Sequence, residues 1–374
     1  MDRRQAERLT LIRPGTACLI VLGVLTLVGC ASPLKPVTIT PAPECGIQPQ
    51  YCFLAGRAQF EAYRQAKLDL IHARSDEGDR TPSAPIALLH PTRTKYAALL
   101  IHGLNDSAFY MADLAALLYM SGINVITILL PGHGTNIADM RRVTAEQWRS
   151  EVEAGLLMTH LVGERLLVGG MSLGGALAID ATFRHSDISG LLLFAPALEL
   201  RSVDGLTWLT CAPLLGEIAT ETELKESPVK YKERVANGVC QLERIMSHNA
   251  HYAAEADSSA VPGTDRMAAM GEQIHIPTFV AMTYADARVS PDAILKFSAS
   301  IRAPTTIATY GVPDAVVPQP LPNGAVLLSL APEGLRHSNL VRRSNAYNDE
   351  FNPYFDRLAD ALTGFLATHF RADP

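Results

Sequence analysis

The segment Gly170–Gly175 constrains the fold most strongly, because it places a serine between two glycines at an abrupt change of pattern. The apolar residues Leu166–Gly169 before it predict a buried strand, and Ala176–Thr182 after it predict a helix. A strand and a helix that meet at so tight a turn leave no room for side chains at the two glycines. The pattern G-x-S-x-G therefore predicts a strand–turn–helix unit that exposes the Ser172 hydroxyl at its apex.

Apolar strand patterns alternate with helical patterns over most of the chain. The predicted strands are Ile86–His90, Tyr96–His102, Asn124–Leu130, Leu166–Gly169, Gly190–Ala195, Pro277–Tyr284 and Thr305–Tyr310. The predicted helices include Phe53–Arg74, Met111–Met120, Ala145–Leu161 and Pro291–Ser300. Near-continuous apolar strands separated by helices predict an α/β fold with a parallel sheet covered on both faces.

Residues 199–275 interrupt this alternation, and their sequence predicts no strand. We expect this segment to form a cap over the carboxyl ends of the strands. The predicted core then consists of residues 51–198 and 276–374.

Five segments, taken in order, resemble the α/β-hydrolase superfamily, in particular its capped carboxylesterase and monoacylglycerol-lipase-like branch. They are Ile101–Leu104, Leu130–Gly134, Gly170–Gly174, Asp286–Pro291 and Arg336–Ser338. The resemblance covers roughly residues 86–374 and implies the α/β-hydrolase fold, with a helical cap inserted between strands six and seven. It also implies the chain order nucleophile, acid, histidine.

Ser172, Asp286 and His337 follow that order, and each residue type suits its predicted role. A serine hydroxyl is a weak nucleophile at neutral pH and needs a neighbouring base. A histidine provides one because its usual pKa lies near neutral pH, and a carboxylate orients the imidazole and stabilises its charged form. Asp314 also lies in an acid-like loop after a later strand, so the sequence leaves two candidate acids, of which we favour Asp286.

The resemblance further implies an oxyanion hole formed by the backbone N–H groups of Leu104 and Leu173. His102, beside the first of these, is expected to brace its loop and not to transfer protons. For His133, in the Pro-Gly-His-Gly turn, we favour a structural role.

The sequence predicts no metal site and no cofactor. His248 and His251 are three residues apart, but no third ligand or acidic motif accompanies them. Dinucleotide-binding and phosphate-binding glycine loops are absent from the sequence. The net charge of −6, with no basic cluster beyond the first residues, argues against nucleic acid as a partner.

The amino-terminal residues 1–29 resemble a bacterial lipoprotein signal peptide, with an arginine-rich start, an apolar stretch and Cys30 directly after it. The resemblance implies cleavage before Cys30 and lipid attachment to that cysteine, followed by a proline-rich tether over residues 30–50. The alternative is an ordinary cleaved signal or a short anchor. We expect a location in the bacterial cell envelope, and Ala31 favours the outer membrane where there are two membranes.

Four further cysteines remain, namely Cys45, Cys52, Cys211 and Cys240. An even number in an exported chain predicts disulfides, and proximity in sequence favours Cys45–Cys52 and Cys211–Cys240. The other two pairings, and a tetrathiolate metal site, are less favoured alternatives.

We therefore expect a serine hydrolase acting on carboxylic esters, with a lipid or other small ester as substrate. Serine peptidase or acyltransferase activity remains open, because both use the same triad. A non-catalytic binding module with this fold is the alternative from another class.

Overall fold

The computed structural model describes residues 49–75, 78–201, 211, 218–221, 227–256, 265–313, 320–343 and 351–371. The predicted signal segment, Cys30, Cys45 and the second candidate acid Asp314 lie outside the described residues.

The described helices and strands alternate along the chain. In order they are α1 (Pro49–Arg74), β1 (Ala87–Leu88), β2 (Thr94–Ile101), α2 (Ala112–Met120), β3 (Asn124–Thr127), α3 (Ile137–Met140), α4 (Ala145–Val162), β4 (Gly163–Met171), α5 (Leu173–Arg184), β5 (Ile188–Phe194), β6 (Ala219–Glu221), β7 (Glu233–Val235), α6 (Ala236–Ala256), α7 (Arg266–Glu272), β8 (Thr278–Thr283), α8 (Pro291–Ser300), β9 (Thr305–Tyr310), β10 (Val326–Ala331) and α9 (Phe355–His369).

Eight strands form one large sheet in the spatial order β1-β3-β2-β4-β5-β8-β9-β10. Only the short first strand is antiparallel to its neighbour, and the other neighbouring pairs are parallel. The carboxyl ends of β4, β8 and β10 therefore lie at the same edge of the sheet. In open α/β sheets this is the edge where ligands bind.

Helices cover both faces of the sheet, as the sequence predicts. Tyr96 and Leu99 lie three residues apart on β2, so their side chains point to opposite faces. The Tyr96 ring packs edge-on against Phe370 after α9, with ring centroids 5.3 Å apart. Leu99 faces Gly155 of α4, where an added Cβ would come within 2.8 Å of Leu99 Cδ1. The strands between these layers are buried, which confirms the parallel, doubly covered sheet.

Helix α1 precedes the sheet and is joined to α4 by buried polar contacts. Lys67 Nζ lies 2.8 Å from Glu151 Oε1, and both side chains are buried. The Tyr63 hydroxyl donates a hydrogen bond of 2.6 Å to the same carboxylate oxygen and accepts one of 3.1 Å from Leu129 N. This helix begins at Pro49, two residues inside the predicted tether. Across the described helices, none is long and apolar enough to cross a bilayer.

The structure corrects the predicted strands in two places. β10 was not predicted, although Val326–Ala331 is apolar apart from Ser329; it pairs with β9 at the edge of the sheet. Within residues 199–275 the structure contains the antiparallel pair β6 and β7 where the sequence predicted no strand. Each is only three residues long, too short to produce a readable alternation. The segment 199–275 was predicted to lie between strands six and seven; in the structure, counted from β1, this segment follows the fifth strand.

Candidate active site

Ser172 lies at the turn between β4 and α5 in a strained backbone conformation. Its φ is 54° and its ψ is −114°, a region that residues other than glycine rarely adopt. Three backbone hydrogen bonds hold it there, from Ser172 N to Phe194 O and from Ala176 N and Ala197 N to Ser172 O, each 3.0 Å long. Strain of this kind persists only where the surroundings enforce it, and it is concentrated at functional sites.

The glycines of the motif are required by close backbone contacts, as predicted. A Cβ added to Gly174 would lie 2.0 Å from the carbonyl oxygen of Ile101. One added to Gly170 would lie 2.5 Å from the carbonyl carbon of Gly174. Neither backbone neighbour can move away without shifting a strand or the start of α5, so only glycine fits at both positions.

The structure brings Asp286 and His337 into direct contact. Asp286 follows β8, and His337 begins a short 3-10 turn after β10. His337 Nδ1 lies 2.7 Å from Asp286 Oδ2. A neutral imidazole bonded in this way carries its proton on Nδ1, so the other ring nitrogen, Nε2, is left as the proton acceptor. The pair has the geometry of a base with its orienting carboxylate.

The Asp286 carboxylate is buried and fixed on both oxygens. Its Oδ1 accepts hydrogen bonds from Arg288 N at 2.8 Å and from Val289 N at 3.0 Å. Burial raises the pKa of this carboxyl, but the adjacent His337 and the two N–H donors outweigh burial and hold the pKa below its usual value. The Arg201 guanidinium donates to the Asp286 carbonyl oxygen at 2.9 Å and further fixes the loop. The acid is therefore ionised at neutral pH.

Thr283, which the sequence analysis did not single out, links the loop of His337 to the strand of Asp286. Its Oγ1 accepts a hydrogen bond of 2.8 Å from Leu335 N and donates one of 3.0 Å to Leu335 O. Thr283 lies three residues before the acid, and Leu335 lies two residues before the histidine. No local pattern signals this contact, because it joins positions 52 residues apart.

The sequence left two candidate acids, and the contact with His337 is made by Asp286. Asp314 lies outside the described residues. Ser172 lies at the same edge of the sheet as the Asp286–His337 pair, because their strands are parallel. Within the described residues, no hydrogen bond joins the Ser172 hydroxyl to His337.

The predicted oxyanion loop lies next to Ser172. A Cβ added to Gly103 would lie 3.5 Å from Ser172 Cβ, so Leu104 follows a residue that borders the nucleophile. His102 Nε2 accepts a hydrogen bond of 3.1 Å from Leu130 N, and its Nδ1 lies 2.9 Å from Gly103 O. Burial lowers the pKa of His102 to about 4. These contacts agree with the bracing role predicted for His102.

The other three histidines that the sequence analysis considered occupy structural or surface positions. His133 is buried against His102 and Trp148, and burial lowers its pKa well below the usual value. His248 Nδ1 lies 3.2 Å from Asp180 Oδ1, and His251 Nε2 lies 3.0 Å from Glu255 Oε1. Among the described residues, no group of histidine, cysteine and carboxylate side chains is arranged to hold a metal ion.

Of the predicted disulfides, Cys211–Cys240 is present, with its sulfur atoms 2.08 Å apart. It ties α6 to residue 211 within the segment 199–275. Cys52 is also disulfide-bonded, and its predicted partner Cys45 lies outside the described residues.

A mostly parallel sheet covered by helices, with a strained serine after a central strand and an acid–histidine pair at the same edge, defines the class of α/β-hydrolases. The comparison with family models agrees. The model of Hydrolase_4, described as serine aminopeptidase S33, matches residues 92–311, which is more than half of the chain. The chain belongs to this family, and the resemblance to the α/β-hydrolase superfamily is confirmed.

Relatives and solved structures extend the comparison. The thermostable monoacylglycerol lipase of Bacillus sp. (strain H-257) is 30% identical over 154 residues, which are 40% of this chain and 61% of the lipase. The structure of a monoacylglycerol lipase from Paleococcus ferrophilus matches with a TM-score of 0.54 at 15% identity, covering 76% of this chain and 98% of that chain. A soluble variant of monoglyceride lipase from Saccharomyces cerevisiae matches with a TM-score of 0.54 at 14% identity, covering 76% and 91%. At these identities the two structures show a common fold.

Proposed function

We propose that this protein is a serine hydrolase that cleaves carboxylic esters through Ser172, His337 and Asp286. The observation that carries the proposal is the Asp286–His337 hydrogen bond of 2.7 Å at the sheet edge where the strained Ser172 lies. A bound carboxylate and a histidine with a free acceptor nitrogen are what a serine nucleophile requires as its base.

In the proposed cycle, His337 Nε2 takes the Ser172 proton while Oγ attacks the carbonyl carbon of the ester. The amides of Leu104 and Leu173 donate hydrogen bonds to the developing oxyanion. The intermediate collapses when the alcohol leaves with the proton from His337. Water, deprotonated by the same histidine, then attacks the acyl-enzyme and releases the carboxylic acid. The cycle requires no cofactor.

For the substrate we propose a lipid ester such as a monoacylglycerol or a lysophospholipid. The matching relative from Bacillus is a monoacylglycerol lipase, which supports this class. Lipidation at Cys30, which remains a proposal, places the protein on a membrane surface in the cell envelope, where such esters are found.

The lipid anchor is tested with radiolabelled palmitate. The expected result is incorporation into the wild type but not into Cys30→Ser. Equal incorporation contradicts the anchor.

Peptide hydrolysis is the second candidate, because the matched family carries the description serine aminopeptidase. The same triad attacks an amide carbonyl in the same way, so the geometry of Ser172 and His337 fits both reactions. The difference lies in the pocket that holds the substrate. We therefore propose the ester reaction on the similarity to the lipase and include amide substrates in the test.

A fluorophosphonate probe tests the mechanism. We expect the full chain to be labelled at Ser172, as located by peptide mass spectrometry, and Ser172→Ala to remain unlabelled. Ser300→Ala is the matched control, since Ser300 is on α8 and its hydroxyl bonds only within that helix. A folded wild type that takes up no probe contradicts the hydrolase and favours the binding module.

The substrate class is tested with three compounds on wild-type enzyme that has not been treated with the probe: a monoacylglycerol, a lysophospholipid and an aminoacyl p-nitroanilide. We expect hydrolysis of at least one lipid ester and little of the anilide. Faster turnover of the anilide contradicts the ester proposal and establishes the peptidase.

A further inference from the structure

The segment Ser227–Val235, which lies outside the large sheet, contacts the oxyanion loop, Gly103–Asp106. We call this segment the brace. Tyr231 N donates a hydrogen bond of 3.0 Å to Asn105 O. Asn105 Nδ2 in turn donates one of 2.8 Å to Glu233 O. Asn105 has a φ of 68°, so these two contacts support a residue in the left-handed region. The brace is therefore attached to the loop through both the backbone and the side chain of Asn105, the residue that follows Leu104.

A carboxylate of the same loop lies close to the nucleophile. A Cβ built on Gly103 would lie 2.7 Å from Asp106 Oδ2 and 3.5 Å from Ser172 Cβ, so these two atoms are no more than about 6 Å apart. Asp106 is buried, with 6% of its surface exposed. A negative charge here opposes the negative charge that forms on the substrate oxygen during attack by Ser172.

The brace supplies a cation beside this carboxylate. Lys230 Nζ lies 3.3 Å from Asp106 Oδ1, and only 7% of either side chain is exposed. Its ammonium also lies 5.0 Å from the centre of the Tyr110 ring, which further fixes its position. Because both groups are buried, water screens their charges much less than at the surface.

We propose that Lys230 is a positioning residue of the active site, which acts through Asp106 by offsetting the carboxylate charge beside the oxyanion. The inference rests on the function proposed above and adds a group from the brace to it. The oxyanion forms beside Ser172, so for its distance from Asp106 we take the roughly 6 Å bound found for Ser172 Cβ. Two unit charges at about that separation, with an effective dielectric constant of about 20, interact strongly enough to change a rate about 100-fold. The ammonium removes this repulsion from the transition state.

The test compares Lys230→Met with Lys232→Met, a matched change two residues along the brace, where Lys232 is half-exposed and lies 4.0 Å from Glu233. We expect Lys230→Met to lower kcat for a p-nitrophenyl ester about 100-fold with KM within about 2-fold. The affinity for a trifluoromethyl ketone, which forms an oxyanion on Ser172, is expected to fall by a similar factor. Lys232→Met is expected to change neither quantity by more than about 2-fold.

The double variant Asp106→Asn/Lys230→Met separates charge from contact. It removes both charges, and we expect its kcat to return to within about 10-fold of the wild type, because replacing both members of a buried pair is often tolerated. Lys230→Arg keeps the charge and is expected to stay within about 10-fold as well. If Lys230→Met does not yield folded protein, Lys230→Gln, which also removes the charge but keeps a polar side chain, takes its place in the same assays.

Three results overturn the proposal. They are a wild-type kcat in Lys230→Met, a loss confined to KM, and a double variant that is folded but remains about 100-fold slow. Failure of the hydrolase function is recognised separately, because the wild-type chain then takes up no fluorophosphonate at Ser172. If the function holds, all the folded variants reach full labelling at Ser172 after long incubation.

Discussion

Replacing Thr283 by valine tests how the histidine loop is positioned. Valine has nearly the same shape as threonine but has no hydroxyl, so Leu335 N and Leu335 O both lose their partner. Thr283 is 1% exposed and Leu335 is 6% exposed, so water reaches neither group easily. A buried backbone group left without a partner costs about 1–3 kcal/mol. We therefore expect Thr283→Val to lower the free energy of unfolding by roughly 2–4 kcal/mol.

The same substitution is expected to slow catalysis. Leu335 lies two residues before His337, and a displacement of about 1 Å in a catalytic group can cost about 100-fold in rate. We expect kcat for a p-nitrophenyl ester to fall about 10- to 100-fold, with KM changed by no more than about 2-fold. Urea unfolding followed by circular dichroism measures the stability, and steady-state kinetics in the folded range measures kcat.

Thr278→Val is the matched control at the other end of β8. Thr278 is fully buried, and its Oγ1 donates one hydrogen bond of 2.9 Å to Ile276 O. We expect a loss of about 1 kcal/mol in stability and no change in kcat. A folded Thr283→Val protein with the wild-type kcat refutes the reasoning, and so does an equal loss of kcat in Thr278→Val.

Three further predictions concern the acid, a buried histidine and the serine turn. Asp286→Asn is expected to lower kcat about 10³- to 10⁴-fold by disturbing the tautomer of the base, and Asp314→Asn by less than about 3-fold, both measured by steady-state kinetics. The pKa of His102 is about 4 in the folded chain and about 6.5 in the unfolded chain, so between these two pH values only the unfolded chain binds a proton at His102. The free energy of unfolding is therefore expected to fall by about 3 kcal/mol as the pH is lowered from 7 to 4, as measured by urea unfolding. Gly174→Ala is expected to lose about 3 kcal/mol or more, and Gly364→Ala on the open surface of α9 to gain up to about 1 kcal/mol, in the same assay.

Each of these has an opposing outcome. A severe loss in Asp314→Asn with a mild one in Asp286→Asn exchanges the two acids. If the free energy of unfolding of His102→Gln depends on pH as steeply as that of the wild type, then protonation of His102 does not cause the pH dependence. If Gly174→Ala and Gly364→Ala are equally stable, the close contact at the serine turn does not decide that glycine.

The serine turn was predictable because its cause is local. The two glycines, the strand before them and the helix after them lie within about twenty residues, so the sequence itself contains the steric reason. Asp286 was predictable in part, because it directly follows an apolar strand. It was favoured over Asp314 from the sequence, but its contact with His337 is determined by the fold.

Contacts between distant segments were not predictable. Lys230 and Asp106 lie in segments of unremarkable composition, and only the fold places their side chains 3.3 Å apart. Thr283 lies at the end of a largely apolar strand, and nothing in the sequence around it indicates its hydrogen bond to Leu335. β10 was missed although Val326–Ala331 is apolar apart from Ser329, because an apolar run of six residues does not by itself distinguish a strand from a buried helical or loop segment.

The order of the site residues along the chain has a consequence for biosynthesis. Ser172 follows β4 in the interior of the sheet, whereas His337 follows β10, which is added at its edge. A polypeptide synthesised amino end first therefore contains Ser172 before it contains His337. Under the proposed mechanism the nascent chain cannot activate Ser172 until His337 has been synthesised. Docking of β10 onto β9 is then the moment at which hydrolytic competence begins.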